Sequence, residues 1–402
     1  MINKREVFVL RQNRYIFPIS CYYSDMDIDT YVESCRDEQI DLLMALGRIP
    51  SPSRHEERRA EAVRSWLEKN GFEGVRLDRA KNVCCLIGDK EPLAAFSSHT
   101  DIVFPDTEPL PMRRDGDILY APGIGDDTAN LVNLLLAARY ILSMKDKMER
   151  SLLIAAVSCE EGLGNLDGTK ELFRAYGKRI QRYISLDGNI GSCVSLPVGS
   201  HRYEVSVRAK GGHSYKDFGA DNAIVISSGL IKDLYAIEPP EGVTYNVGTI
   251  KGGTAVNSIA QEAEFLYEYR AADEEKLQEM RELFYRTVAR QGKDIRVRLL
   301  GVRPGKGRID EESLRSFTEG NVRIIKEVRK GEVKVTASST DSNIPLSLGI
   351  PANTIGTIAG GNAHTREEWV DLGSMQDGLR LSLLLMSSQA FQGCASNETR
   401  EC

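Results

Sequence analysis

Histidine is scarce in this chain, five among 402 residues, and one of the five opens the run His99-Thr100-Asp101. The preceding Leu93-Ala94-Ala95-Phe96 is apolar and strand-like. Side chains alternate faces along a strand, so His99 and Asp101 would point the same way. A carboxylate beside an imidazole fixes its tautomer and ring orientation, as a metal ligand requires. Further clusters follow in order: Gly125-Asp126-Asp127 before an apolar helix, Cys159-Glu160-Glu161-Gly162 after a buried-type strand, Leu186-Asp187-Gly188 after another, and Gly360-Gly361-Asn362-Ala363-His364 in a glycine-rich loop. Taken singly, each has a plain structural explanation, such as an acid capping a helix N-terminus. Taken together, they gather imidazole nitrogens and carboxylate oxygens at strand ends, where open α/β sheets place their sites. That donor set suits zinc, with ligand distances of about 2.0–2.2 Å. Two ions about 3.5–4 Å apart need a bridging carboxylate, and one further acid must act as general base. Glu160 beside Glu161 supplies that surplus.

The elements that must position these groups are readable from periodicity. Arg36 to Ile49 has a helical apolar face, and Ser53-Arg54-His55-Glu56 reads as a capping box opening a second helix that Gly71 closes. Val83–Ile87 and Leu93–Ser97 look like strands, Thr128–Leu142 a long apolar helix, and Leu152–Ser158 a buried strand. A helix near Gly168–Tyr176 and a strand at Tyr183–Leu186 continue the alternation, which implies a three-layer α/β domain with a mostly parallel sheet. After Pro197 the pattern changes to β-α-β-β-α-β, the ferredoxin-like plan: Arg202–Ala209, Asn222–Ile237, Val243–Ile250, Ala263–Tyr269, Glu274–Arg290 and Ile295–Leu300. Arg303-Pro304-Gly305 reads as an exit linker, and α/β alternation resumes from Glu311 to a last helix at Met375–Gln389. The expected organisation is therefore a catalytic domain in two segments, 1–198 and 306–402, with an α+β unit inserted at 199–305. Residues 1–30 are read as an N-terminal extension, with Met26 an alternative start.

Composition narrows the function classes. Apolar residues make up 41% and charged residues 27%, with 52 Lys and Arg against 58 Asp and Glu, for a net charge of -6. No basic block favours nucleic acid, and no apolar run reaches the roughly 18 residues of a membrane span. The eight cysteines are scattered without a C-x-x-C pair, which fits free thiols in a reducing cytoplasm better than a disulfide framework. His55 falls in the first turn of a helix and is expected to be a surface residue, and His201 matches no motif and is expected to be structural.

The ordered set His99-Thr100-Asp101, Gly125-Asp126-Asp127, Glu160-Glu161, Asp187, Gly211-Gly212-His213-Ser214 and His364 resembles the dinuclear-zinc metallopeptidase family that includes peptidase T, carboxypeptidase G, aminoacylase and succinyl-diaminopimelate desuccinylase. The resemblance covers about residue 36 to about 390. It implies two divalent ions, zinc by preference, bridged by Asp126, with His99 and Asp187 completing one site and Glu161 and His364 the other. It implies Glu160 as general base, Asp101 as the group orienting His99, and a cis peptide between Asp126 and Asp127. It also implies an inserted lid or dimerisation domain through which two copies associate. His213 from that domain would stabilise the oxyanion, often across the dimer interface, while Asn257 and Arg270 would contact substrate. Two departures stand out: many members have Lys where this chain has Thr128, and Asp where it has Cys159. Asp at position 187, the run Ser338-Ser339-Thr340-Asp341-Ser342-Asn343 and the run Ala363 to Trp369 look like the peptidase T branch.

The expected activity is hydrolysis of amide bonds in small peptides by a di- or tripeptide aminopeptidase, with zinc-bound hydroxide as nucleophile. An N-acyl-amino-acid deacylase or carboxypeptidase using the same centre is the nearest alternative. A peptide-binding relative without catalysis is a third.

Overall fold

The computed structural model of the protein describes residues 26–391. Most of the expected N-terminal extension, and Cys21, Cys394 and Cys402, lie outside the described residues. The large sheet runs from edge to edge as Arg76–Leu77, Val83–Ile87, Leu152–Val157, Leu93–His99, Ile180–Ile190, Ala352–Gly356, Ser192–Pro197 and Lys334–Ser338. Its centre is parallel: Leu93–His99 pairs in parallel with Leu152–Val157 on one side and Ile180–Ile190 on the other, and Ile180–Ile190 pairs in parallel with Ala352–Gly356. The outer strands at Val83–Ile87 and Ser192–Pro197 join antiparallel. The mostly parallel three-layer α/β domain expected from the alternation is what forms.

The two-sided burial of the central strands explains their unbroken apolar runs. Along Leu93–His99, Ala94 and Phe96 enter one core, which the helices Ala129–Ser143 and Ser374–Ala390 cover. Leu93 and Ala95 enter the other, closed by Leu172, Phe173 and Leu314 from the helices Asp167–Tyr176 and Glu311–Val328. Helix Ala129–Ser143 is buried from Ala129 to Ile141, as an all-round apolar helix in a large core must be. Cys35, Cys84, Cys85, Cys159 and Cys193 are buried free thiols. No helix among the described residues is long and apolar enough to cross a membrane.

The inserted unit is a four-stranded antiparallel sheet in the order Thr244–Gly252, Glu262–Ala271, Gly199–Arg208, Ile295–Arg303. The helices Ala223–Tyr235 and Glu274–Arg290 pack on it around Tyr203, Phe265, Tyr267, Tyr269 and Phe284. His201 lies in this sheet, buried, with Tyr269 Oη 2.8 Å from its Nδ1. Two of the departures from the sequence-based expectations bear on the site. The strand predicted to end at Leu300 runs on to Arg303, because its backbone continues to pair with Gly199–Arg208 as far as Ser200. The capping box does not form: the helix starts at Glu57 with no side-chain cap, and the Ser53 hydroxyl donates instead to Asp101 Oδ2 at 2.6 Å.

Candidate metal centre

Three neighbouring parallel strands deliver their C-terminal ends to one place, the crevice position favoured in open α/β sheets. Leu93–His99 ends on His99, which lies opposite Val157, so the chain beyond Val157 brings Glu160 and Glu161 alongside. Asp187 sits where pairing between Ile180–Ile190 and Ala352–Gly356 jumps from Leu186 to Ile190, an irregularity that leaves its backbone out of register with that strand. Asp126 comes from the glycine-rich segment ahead of helix Ala129–Ser143, and its peptide bond to Asp127 is cis. His364 stands on the loop after Gly360–Gly361 in a left-handed conformation, φ 65°.

Asp126 occupies the middle. Its Oδ1 lies 3.0 Å from His99 Nε2 and its Oδ2 lies 3.1 Å from His364 Nε2. His364 Nε2 is also 2.9 Å from Glu161 Oε1. The ligand atoms of His99, Asp126 and Asp187 lie within 4.8 Å of one another, as do those of Asp126, Glu161 and His364, and those of His99, Glu160 and Glu161. The first two groups share Asp126, one oxygen facing each imidazole. His99 Nδ1 faces the Asp101 carbonyl at 3.0 Å; a carbonyl only accepts, so Nδ1 carries the proton and Nε2 is left to face the cluster.

Charge in this cluster is strongly perturbed. Burial pushes the Glu160 carboxyl up to about 8 against the pull of Arg303, and repulsion from Glu161 adds to it. Burial, then Asp127 and Asp126, raise Asp187 well above the usual carboxylate range. Burial works against ionising Asp126 too, but the His364 and His99 contacts prevail and hold it below its ordinary value. The Asp126 and Glu161 contacts lift His364 to about 10. Crowded buried carboxylates with nitrogen donors at matching spacing are what a pair of divalent cations would neutralise. The donor set therefore fits the group the resemblance implies.

A layer of contacts holds these groups in place, and sequence reasoning missed most of it. The Asp101 carboxylate lies 3.5 Å from His99 Nδ1, while its two oxygens accept from Glu160 N and Glu161 N at 2.9 Å each. Its carboxylate thus fixes the backbone of the acid pair, and the ring of His99 is oriented by the Asp101 carbonyl. Asp127 Oδ2 accepts from His99 N at 2.9 Å. Glu368, buried, gathers Gly123 N, Gly125 N and Asp126 N at 3.0, 2.7 and 2.8 Å.

Arg59 is buried beneath the same loops. It donates to Ile49 O at 2.7 Å, Thr100 O at 3.0 Å and Thr128 Oγ1 at 3.2 Å. Burial pulls its guanidinium down to about 10, opposed by Asp101 and Glu368, so it stays cationic at neutral pH. Replacing Arg59 with Met would strand those acceptors in the core and is expected to destabilise the protein by about 3 kcal/mol. A denaturant-unfolding midpoint would read this, and Arg59→Lys should lose less.

Among the described residues, the expected substrate contacts have partners other than the cluster residues. His213, exposed, accepts at Nδ1 from Tyr215 N and Lys216 N at 3.2 and 3.4 Å. It lies beside Asn257, whose carbonyl accepts from Ser214 N at 3.0 Å. Arg270 forks onto the Glu268 carboxylate at 3.0 and 3.1 Å. One residue of the inserted unit does reach the acids, and it was read as linker: Arg303, whose Nη1 is 3.2 Å from Glu160 Oε1.

Known proteins are similar to this chain in sequence and in fold. Residues 198–296 match the peptidase dimerisation domain family, and residues 82–200 match peptidase family M28. A relative from Mycobacterium tuberculosis is 27% identical over 358 residues, covering 85% of this chain and 95% of the relative. The succinyl-diaminopimelate desuccinylase of Corynebacterium glutamicum is 26% identical, covering 82% and 91%. Among solved structures, a tripeptidase from Staphylococcus aureus superposes with TM-score 0.69 at 20% identity, covering 87% of this chain and 98% of the other. A dinuclear metal-binding M20 peptidase from Bacillus subtilis superposes at 0.62 with 15% identity, covering 88% and 99%. With the acid–histidine cluster at the strand ends and a dimerisation-type unit inserted after it, the chain is similar to the M20 metallopeptidases, and these similarities mark it as a hydrolytic metalloenzyme.

Proposed function

We propose that the enzyme hydrolyses amide bonds in small peptides, as a di- or tripeptide aminopeptidase of the peptidase T-like branch. The observation that carries the reading is Asp126, one carboxylate set between two imidazoles, with the buried acid Glu160 outside both triads that share it. His99, Asp126 and Asp187 would hold one divalent ion, and Asp126, Glu161 and His364 the other, with zinc the preferred metal. When bound, the ions would polarise the substrate carbonyl and make water acidic enough to react near neutral pH. Glu160 takes the proton from the attacking water and returns it to the leaving amine as the C–N bond breaks. Asp101 keeps the Glu160 and Glu161 backbone in place during that transfer.

Residues 199–305 serve as the lid and as the surface of a homodimer, a reading supported by the dimerisation-domain match. His213 then acts from the partner copy, donating to the oxyanion, which suits its exposure and its contacts within the lid. Arg270 receives a substrate carboxylate through its guanidinium fork, and Asn257 contacts the substrate beside it. The buried free thiols suit a cytoplasmic enzyme.

A second reading, N-acyl-amino-acid deacylation at the same centre, is favoured by the desuccinylase relative. One comparison separates the two: free-amine tripeptides against N-acetyl and N-succinyl amino acids, all with metal-loaded enzyme. Cleavage of the tripeptides, with attack at the N-terminal residue, is the expected result. Turnover of the acylated compounds alone would establish the deacylase instead. Metal analysis of protein purified without chelator should give about two ions per chain, and one or none would remove the dinuclear centre.

A further inference from the structure

The inserted sheet touches the loop of the catalytic acids through Arg202, which donates to the Gly162 carbonyl, and among the described residues it reaches Glu160 itself through Arg303. Arg303 is the last residue of Ile295–Arg303, in register with Ser200 on the neighbouring strand, and it is 4% exposed. Its Nη1 donates to Glu160 Oε1 at 3.2 Å and to Ser339 Oγ at 3.2 Å, while its Nη2 donates to the Glu160 carbonyl. Nε has no partner among the described residues. Both ends of Glu160, carboxylate and backbone, are therefore held by one side chain anchored in a different structural unit.

A buried ion pair is by itself weak grounds for a stabilising role, because desolvation offsets much of the attraction. What the arrangement does provide is geometry. A planar fork with two donors on one residue restricts that residue's orientation in a way a lysine cannot. The backbone of the same acid is fixed from the opposite side by Asp101 Oδ1 at 2.9 Å. Glu160 is thus clamped between the catalytic sheet and the inserted one.

We propose that Arg303 is a positioning residue: it sets the Glu160 carboxylate in its working orientation and couples that orientation to the placement of the inserted unit. The proposal rests on the reading of Glu160 as general base. Its chemistry is that of alignment, since misplacing a catalytic group by about 1 Å can cost about 10²-fold in rate.

The test uses metal-loaded, full-length enzyme with Arg303→Met and Arg303→Lys, assayed beside Glu160→Gln. Arg303→Met is expected to lower kcat by about 10²-fold with KM within about twofold of wild type, and metal content should be unchanged. Arg303→Lys should recover part of the loss, because it restores the charge without the fork. Hydrogen exchange measured by mass spectrometry should rise in peptides covering residues 159–166 and stay constant in those covering residues 93–101. Wild-type kcat in Arg303→Met beside an inactive Glu160→Gln overturns the positioning role and leaves the base in place. An active Glu160→Gln overturns the reading on which the proposal rests. If Arg303→Met does not fold, Arg303→Lys decides: wild-type kcat and exchange count against the proposal, and lowered kcat with faster exchange at 159–166 supports it.

Discussion

Glu160→Gln is expected to lower kcat by about 10²–10⁴-fold, the range for removing a general base, while two metal ions remain bound. The substitution keeps the shape of the side chain and an oxygen that can still accept from Arg303 Nη1. It removes only the capacity to take a proton. No ligand of either triad that shares Asp126 is altered, so metal retention should not suffer. KM should change little, because Glu160 lies outside both triads that share Asp126. Steady-state kinetics with metal analysis of the same preparation separate the outcomes. Near-normal kcat would assign the base elsewhere, and lost activity with lost metal would make Glu160 a ligand.

Asp126→Ala should be more damaging, and in a distinctive manner. Each Asp126 oxygen faces a different imidazole, at 3.0 Å for His99 and 3.1 Å for His364. Removing the carboxylate therefore takes a donor from both sites at once, and both ions should be lost together. Disturbing a group that merely orients a ligand costs about 10–100-fold in metal affinity, so deleting the shared ligand should exceed that range at each site. His364→Ala is the informative contrast, since it touches only the triad with Glu161 and Asp126 and should spare the other ion. Competition against a chromophoric chelator would measure both variants. An Asp126→Ala protein that still binds two ions would contradict the bridging arrangement.

Much of the fold was legible because its core strands are buried on both faces. Leu152–Val157 is buried at every position and reads as an unbroken apolar run. The inserted unit was legible for the opposite reason: Glu262–Ala271 alternates in burial along its whole length, as a one-sided sheet must. Weak burial hid one of the strands that periodicity did not reveal. Lys334–Ser338 is an edge strand, exposed at four of its five positions, with no pattern for a core to impose.

The acid and histidine clusters announced themselves by residue type, but their supports did not. Arg59 carried one overlooked signal. It lies four residues before Val63 and eight before Leu67, all on the buried face of Glu57–Lys69, so its spacing marked it as a cation on an apolar stripe. Ser53 was misassigned because a hydroxyl three residues ahead of a glutamate meets the capping pattern locally. Its actual acceptor, Asp101, lies 48 residues away in sequence and is invisible to any local rule. Arg303 gave no signal at all, since its partner is 143 residues away and its own neighbours are Pro304 and Gly305.

The pairing of Arg303 with Ser200 has a consequence for modularity. The first and last strands of the inserted sheet, Gly199–Arg208 and Ile295–Arg303, lie side by side, so the unit's two ends are about one strand spacing apart, roughly 5 Å. To the rest of the chain, the whole α+β unit is a long loop with closed ends, and the entropy of closing a loop grows only slowly with its length. Exchange of such a cassette between homologous enzymes is therefore expected to leave the host sheet intact. The seam then becomes the point of compatibility: a transplanted cassette would need to supply its own arginine to the host glutamate.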